Sequence, residues 1–250
     1  MSSQQEVADL TTCDGGDVRR VVVDNVIKQR FANRSFTQRP VSRQMVEDIL
    51  EVARFAPSGA NIQPWRVYVL SGAEKDRVSR ALSKAHEQAR DRHSSEYQYY
   101  APQLPEPYLS RRNEFGRRFY GALGIQQSDL IGRARQTAKN YGFFGAPIGL
   151  IFAIDRRLQV GSWLDLGMFV QNVMLAAGAR GLQTCPQETF AKYHAVLREL
   201  LPMSAEEMVV CGMSLGFAEE AVARRGSLMS KAPVSEFAEF LGFDCQASNT

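Results

Sequence analysis

The sequence has few cysteines, few histidines and no apolar segment of membrane-spanning length. Its 250 residues include three histidines and four widely spaced cysteines, Cys13, Cys185, Cys211 and Cys245, with no CxxC pair. This pattern argues against a disulfide framework and against a zinc site, so we expect no metal. The longest apolar run, Ala146–Ile154, is about half of the ~18 residues that a membrane span needs. We therefore expect no membrane association.

Net charge and the N-terminal composition narrow the class further. The formal net charge is +3, which is too small to indicate a nucleic-acid partner, and only six of the 30 basic residues are lysines. Residues 1–17 are polar and lack the basic and apolar regions of a signal peptide. We expect residues 1–17 to be a flexible tail and residues 18–250 to form a single cytoplasmic domain, since 44% of the chain is hydrophobic.

Several common catalytic motifs are also absent. The chain has no GxGxxG fingerprint, no P-loop and no GxSxG elbow. Its histidines, His86, His93 and His194, do not stand beside a candidate nucleophile. Acid–base catalysis by side chains is therefore weakly indicated, a pattern that suits an enzyme whose chemistry belongs to a bound cofactor.

Hydrophobic periodicity predicts helices separated by a few strands. The predicted helices cover residues 18–31, 42–56, 73–92, 111–141 and 163–180, and the predicted strands cover residues 65–70, 147–154 and 207–215. Residues 94–110 contain three prolines and four tyrosines, which predicts an insertion loop, and we regard residues 94–120 as a variable insertion. This order of elements indicates an α+β or α/β sandwich.

Three segments carry residues suited to binding. Arg30 and Arg34 are four residues apart at a predicted helix end and could converge on one anion, or could be two solvated arginines. Residues 57–65 place small and amide side chains between a helix and a strand, which suits a flat ligand or an ordinary turn. Residues 181–190 could offer backbone N–H groups from a loop, where Cys185 is more readily explained as core filler.

Together these segments resemble the FMN-dependent nitroreductase family, over roughly residues 24–243. The family opens with R-x-S-x-(R/K)-x-(F/Y), and Arg30, Arg34 and Phe36 match it, while Ala32 stands where serine is usual. The family pattern P-S-(S/G)-x-N-x-Q-P-W is met in full from Pro57 to Trp65.

Shorter matches lie at residues 144–147, 165–167, 171–172, 181–182, 186–188, 216–217 and 231–233. Arg225 and Leu228 depart from the Asn and Arg that the family often has before its last basic residue.

The resemblance implies an α+β fold with a central, mostly antiparallel sheet flanked by helices, in an intertwined homodimer with FMN at the interface. It implies that Arg30 and Lys231 bind the FMN phosphate and that Arg34 lies toward the N1/O2 edge. The loop from Pro57 would reach the flavin of the partner subunit, and a backbone N–H of Glu188 or Thr189 would face N5. The full set of implied cofactor-binding residues is Arg30, Phe31, Ala32, Arg34, Pro57, Ser58, Gly59, Asn61, Pro186, Gln187, Glu188, Thr189 and Lys231.

The function that the resemblance implies is reduction of nitroaromatic compounds by NADH or NADPH, in a ping-pong order through flavin N5 and with no catalytic side chain. Alternatives within the superfamily are a reductive dehalogenase, a quinone or flavin reductase, a flavin-consuming ring-forming enzyme and an azoline dehydrogenase. A flavin-binding carrier or sensor without turnover is a further alternative. The tyrosines and arginines of residues 94–120 could cover the open flavin face and select substrates, or could be a solvated helix that pads the dimer.

Overall fold

The computed structural model describes residues 15–221 and 229–243. Its helices are α1 (Gly15–Gln29), α2 (Arg43–Ala53), α3 (Gly72–Ala89), α4 (Tyr108–Ala122), α5 (Leu130–Ala138), α6 (Val160–Gly178) and α7 (His194–Leu200). Its strands are β1 (Trp65–Ser71), β2 (Ile148–Asp155), β3 (Gln183–Gln187) and β4 (Glu207–Gly216). Short 3-10 turns lie at Gly59–Asn61, Arg90–Arg92, Lys139–Gly145, Glu188–Tyr193 and Val234–Glu236. The expected tail lies outside the described residues up to residue 14, and α1 begins at Gly15.

Strand β2 lies inside an antiparallel sheet of order β1-β2-β4-β3. Its residues from Ile148 to Ile154 are all buried, as the continuous apolar run predicts. Leu150 and Phe152 pack in a core with α2 and α6, whereas Ile151 belongs to a second core with α3 and α7. A strand covered on both faces by helices needs apolar residues at every position, which removes the alternation expected of a half-exposed strand. The fold is therefore α+β with an antiparallel sheet flanked by helices, as expected.

The pairing of β2 with β4 contains a bulge that connects the sheet to the segment before α4. Phe152 pairs with Cys211 and Ala153 pairs with Val209, so Val210 is an extra residue on β4. A bulge leaves such a residue outside the regular ladder. The Tyr97 hydroxyl donates a 2.6 Å hydrogen bond to the Val210 carbonyl oxygen. The start of the loop predicted over residues 94–110 is therefore fixed to the sheet.

The single helix predicted over residues 111–141 is wrong, because the structure has two helices and a 3-10 turn in this region. Helix α4 ends at Ala122, and Gly124 follows with a φ of +69°, a left-handed conformation that ends the helix. Helix α5 begins after Asp129, whose side chain accepts a 2.8 Å hydrogen bond from the Gly132 N–H. The remaining residues to 145 form a 3-10 turn. The capping of α2 by Ser42 agrees with the prediction, since Ser42 Oγ accepts from the Met45 N–H.

The loop predicted over residues 181–190 is also corrected. Residues Gln183–Gln187 form strand β3, which pairs with β4 from Gly212 to Gly216. This strand lies at the edge of the sheet, where a proline such as Pro186 is tolerated because one side of the strand needs no ladder hydrogen bonds. Helix α7, which follows soon after, was not predicted either.

We predict that Gly212→Ala destabilises the fold by about 1–3 kcal/mol, because overpacking a filled core forces its neighbours to shift. A Cβ at Gly212 would lie 2.6 Å from the Phe190 ring, in the turn that follows β3. Urea unfolding measures the change. Gly116→Ala on α4 is the control, because its Cβ would meet no atom within 4 Å. An unfolding midpoint of Gly212→Ala equal to that of the wild type would contradict the prediction.

Candidate functional site

The segment that contains Arg30 and Arg34 lies beside strand β3. Ala32 forms a parallel bridge with Thr184, and the Asn33 N–H donates a 2.9 Å hydrogen bond to the Thr184 carbonyl oxygen. Asn33 is fully buried, and among the described residues its side-chain oxygen has no hydrogen-bond partner. The structure therefore brings the first and the third predicted segments together at one edge of the sheet.

Three cations of the predicted site have no acidic partner within residues 15–221 and 229–243. Arg30 is half-buried at the end of α1, Arg34 is half-buried beside β3, and Lys231 is exposed. Most other arginines with a described side-chain contact pair with a carboxylate or a carbonyl, for example Arg43 with Glu47. Uncompensated guanidinium groups suit a phosphate or another anion. No contact in the described chain joins Lys231 to Arg30, so their convergence on one phosphate stays a prediction.

Arg34 contacts aromatic rings rather than a carboxylate. Its guanidinium carbon lies 4.7 Å from the ring centre of Phe119 and 5.7 Å from that of Phe115, both on α4. One guanidinium nitrogen donates a 3.3 Å hydrogen bond to the Ala32 carbonyl oxygen. This packing joins residues far apart in the chain and has no local sequence signal.

The Pro57–Asn61 loop is held in an uncommon backbone conformation. Ala60, Asn61 and Gln63 have φ values of 47°, 58° and 52°. The Ser58 hydroxyl oxygen accepts a 3.0 Å hydrogen bond from the Gln63 N–H, and the Gln63 side chain donates to the Asn61 carbonyl oxygen. Left-handed residues other than glycine cost free energy and cluster at binding sites. The loop is therefore shaped by local bonds while most of its residues stay exposed.

Helix α6 fixes the position of this loop. The Gly59 N–H donates a 3.2 Å hydrogen bond to a carboxylate oxygen of Asp165. Asp165 lies in a segment that matches the family, but its role could not be read from the sequence. No hydrogen bond or ion pair of the described chain joins the Pro57–Asn61 loop to Arg30–Arg34 or to Pro186–Thr189. Within the described residues, the second predicted segment therefore has no direct polar link to the first or the third.

The end of β3 is held by its side chains. Gln187 is buried, and its side-chain oxygen accepts a 2.6 Å hydrogen bond from the Ser214 hydroxyl, while its amide nitrogen donates to the Asn140 carbonyl oxygen at 2.9 Å. The Thr189 hydroxyl lies 2.8 Å from the Tyr141 hydroxyl. The side chains of Gln187 and Thr189 are therefore committed to partners within the protein, and they fix the turn.

Burial raises the pKa of three titratable groups next to this turn. Burial raises the pKa of the half-buried Glu188 carboxyl. Burial, with a smaller effect of Glu188, raises the pKa of the Cys211 thiol to about 12. Burial raises the pKa of Cys185 to about 11, although the nearby charge of Arg34 opposes the change. Neither thiol is activated, because a thiolate requires a lowered pKa, and Cys185 is a buried core residue as interpreted from the sequence.

Three of the four arginines of residues 94–120 form ion pairs within the protein, whereas Tyr99, Tyr100 and Tyr108 are exposed. Arg111 pairs with Glu236 at 2.8 Å, while Arg117 and Arg118 both pair with Glu114. Tyr97 is anchored to the sheet, so it is not available to cover a substrate. Whether another ring of this segment does so stays a prediction.

The described residues contain no group of histidine, cysteine and acidic side chains that could hold a metal ion. None of the described helices combines the length and apolarity needed to cross a membrane. Arg225 and Leu228, where the sequence departs from the family pattern, lie outside the described residues.

Comparisons with known proteins agree on one family. The profile of the Nitroreductase family matches residues 27–217. The chain is 43% identical over 219 residues to the chloronitrobenzene nitroreductase of Comamonas testosteroni and 42% identical over 219 residues to the nitrobenzene nitroreductase of Ectopseudomonas oleovorans. Each alignment covers 88% of this chain and 96% of the relative. The crystal structure of the FMN-dependent nitroreductase NfnB from Mycobacterium smegmatis, in complex with NADPH, matches with a TM-score of 0.83 and 31% identity, over 89% of this chain and 99% of that one.

Proposed function

The chain belongs to the nitroreductase family, and we propose that it is an FMN-dependent enzyme that reduces nitroaromatic compounds with NADH or NADPH. The observation that carries the proposal is the uncompensated positive charge of Arg30 and Arg34 beside the edge strand β3. Two relatives that align over most of this chain are named for the reduction of nitrobenzenes. A solved relative is FMN-dependent and binds NADPH.

The described residues fit FMN chemically. We assign Arg30 and Lys231 to the phosphate and Arg34 to the N1/O2 edge, where positive charge favours uptake of electrons by the flavin. Phe31 and Ala32 line the same edge of the sheet through the bridge to Thr184. Ala32 has no hydroxyl to offer, so only its backbone groups are available there.

The turn after β3 supplies the other side of the proposed site. Bound FMN would supply N5 as the atom that accepts and then gives up a hydride. A backbone N–H of Glu188 or Thr189 would donate to N5, with Pro186 and the backbone of Gln187 beside the ring. The side-chain bonds of Gln187 and Thr189 described above keep these backbone groups in place. Reduction of a nitro group to a nitroso group consumes one hydride and one proton and releases water, and the proton can come from water.

We propose that the active unit is a homodimer whose partner subunit contributes Pro57, Ser58, Gly59 and Asn61 to each site. Helices α1 and α6 carry large exposed apolar side chains, including Val22, Ile27 and Leu164, and the C-terminal segment exposes Leu241 at 82%. Large apolar side chains left exposed on elements that contact each other, as α1 and α6 do, are typical of an interface. One open flavin face would then serve both substrates, which gives a ping-pong order.

The experiment that tests the function uses the purified protein and its flavin colour. We expect a yellow protein that releases FMN on denaturation, loses its colour with NADH or NADPH under anaerobic conditions and regains it when nitrobenzene is added. A protein that bleaches but does not recover its colour with nitrobenzene, while it does so with a quinone, would favour the quinone reductase alternative. A flavin that NADH and NADPH leave oxidised would favour a carrier or sensor.

We predict that Arg30→Ala weakens FMN binding at least tenfold, because a hydrogen bond to a charged group contributes about 1.5–3 kcal/mol. Lys231→Ala should have a smaller effect, because lysine is a point charge and not a two-pronged donor. Fluorescence titration of the apoprotein with FMN gives the dissociation constants. Arg43→Ala, which removes an exposed guanidinium paired with Glu47, is the matched control. Unchanged affinity in both variants would show that the phosphate lies elsewhere.

We predict that the protein sediments as a dimer and that Leu164→Asp shifts it toward a monomer with a parallel loss of FMN. Leu164 is 69% exposed on α6, next to the Asp165 that holds the Pro57–Asn61 loop. Burying an unpaired carboxylate in an apolar interface is costly. Gln88→Asp on α3, which packs on the opposite face of the sheet, is the control. A monomer that still holds one FMN per chain would contradict the proposed arrangement.

A further inference from the structure

The Arg34 guanidinium is a half-buried cation whose charge is not cancelled within the described residues. Its side-chain hydrogen bond is a 3.3 Å contact with the Ala32 carbonyl oxygen, and the described chain places no carboxylate within ion-pair distance. Its charge nevertheless extends to β3, where it acts against the burial that raises the pKa of Cys185. Arg34 therefore presents a positive charge at the edge of the sheet.

Two phenylalanines of α4 hold this guanidinium. Phe115 and Phe119 are four residues apart on one helix face, with ring centres 5.6 Å apart and planes within 7° of each other. The Arg34 guanidinium carbon lies 4.7 Å from the centre of the Phe119 ring and 5.7 Å from that of Phe115. Both distances are within the ~6 Å range of a cation–π interaction.

An aromatic ring orients a cation without neutralising it. A carboxylate at the same place would cancel the charge of Arg34 and would compete for its N–H groups. The face of an aromatic ring leaves both the charge and the N–H groups available to a ligand. The single carboxylate of α4, Glu114, is bound to Arg117 and Arg118, which hold the pKa of Glu114 at about 2. Helix α4 therefore contacts Arg34 through aromatic rings, while its carboxylate, Glu114, is paired with other arginines.

We propose that Phe119, supported by Phe115, is a positioning residue that holds the Arg34 guanidinium against the N1/O2 edge of FMN and so makes the flavin easier to reduce. The proposal rests on the proposed function, because it requires FMN beside Arg34. It gives residues 94–120, which contain α4, a role in the electronic properties of the cofactor in addition to any contact with substrate. Replacing the ring by an aliphatic side chain would let the guanidinium move into water, where its field at the flavin is weaker.

The test measures the flavin midpoint potential and the affinity of the oxidised holoenzyme for sulfite, which adds to N5 and leaves negative charge at N1. For Phe119→Leu we expect about a tenfold loss of sulfite affinity and a potential lower by about 30 mV, the value that a tenfold change gives for a two-electron couple. Phe119→Tyr keeps a ring and should restore both values. The dissociation constant of FMN should change less than twofold, because the phosphate contacts are untouched.

Tyr108→Leu is the matched control, since Tyr108 is also an aromatic residue of α4 but is 56% exposed and, among the described residues, packs on neither Phe119 nor Arg34. Phe115→Leu is a second variant with a smaller expected effect, because the Phe115 ring lies farther from Arg34. It decides the proposal if Phe119→Leu does not fold. Arg34→Gln gives the full effect of the charge.

The outcomes separate this proposal from the proposed function. Wild-type values in Phe119→Leu and Phe115→Leu, with a lower potential in Arg34→Gln, would overturn the role of the rings and keep Arg34 at the flavin. Wild-type values in Arg34→Gln as well would overturn the placement of Arg34. A wild-type chain that binds no FMN would overturn the proposed function and this inference with it.

Discussion

The burial of β2 on both faces is the constraint on which the rest of the structure depends. Leu150 and Ile151 are fully buried on opposite sides of the sheet. A buried strand must satisfy its backbone N–H and carbonyl groups through its neighbours, which here are β1 and β4. Helices must then cover both faces, so the sheet can bind a ligand only at its ends or edges. Strand β3 and the Arg30–Arg34 segment lie at such an edge.

Polar contacts connect the core to this edge of the sheet and hold the edge in place. Ser214 on β4 bonds to Gln187 at the end of β3, and Gln187 bonds to Asn140 in the turn before β2. A buried polar network with its partners satisfied fixes one geometry, because any rearrangement would leave buried groups unpaired. The backbone groups that follow at Glu188 and Thr189 therefore belong to the rigid part of the fold, as the proposed contact with N5 requires.

The sequence predicts those parts of the structure whose cause is local. The apolar run of β2 and the hydroxyl that caps α2 can each be recognised from neighbouring residues alone. The motifs at Arg30 and Pro57 indicated the family correctly. Strand β3 was missed because it is short, contains Pro186 and is specified by pairing with a strand far along the chain. The packing of Phe119 on Arg34 was missed for the same reason, since no periodicity connects residues so far apart.

Helix α6 connects the proposed interface to the proposed site. Leu164 is exposed and the adjacent Asp165 is buried, where it accepts the hydrogen bond of the Gly59 N–H. In the proposed dimer, the apolar side chains that include Leu164 would meet the second copy, and the Pro57–Asn61 loop, held by Asp165, would reach the flavin of that copy. Burial of apolar surface supplies the free energy of association, which offsets the free-energy cost of the strained loop conformation. Assembly and completion of the site are then one event, and a separated chain would lose both together.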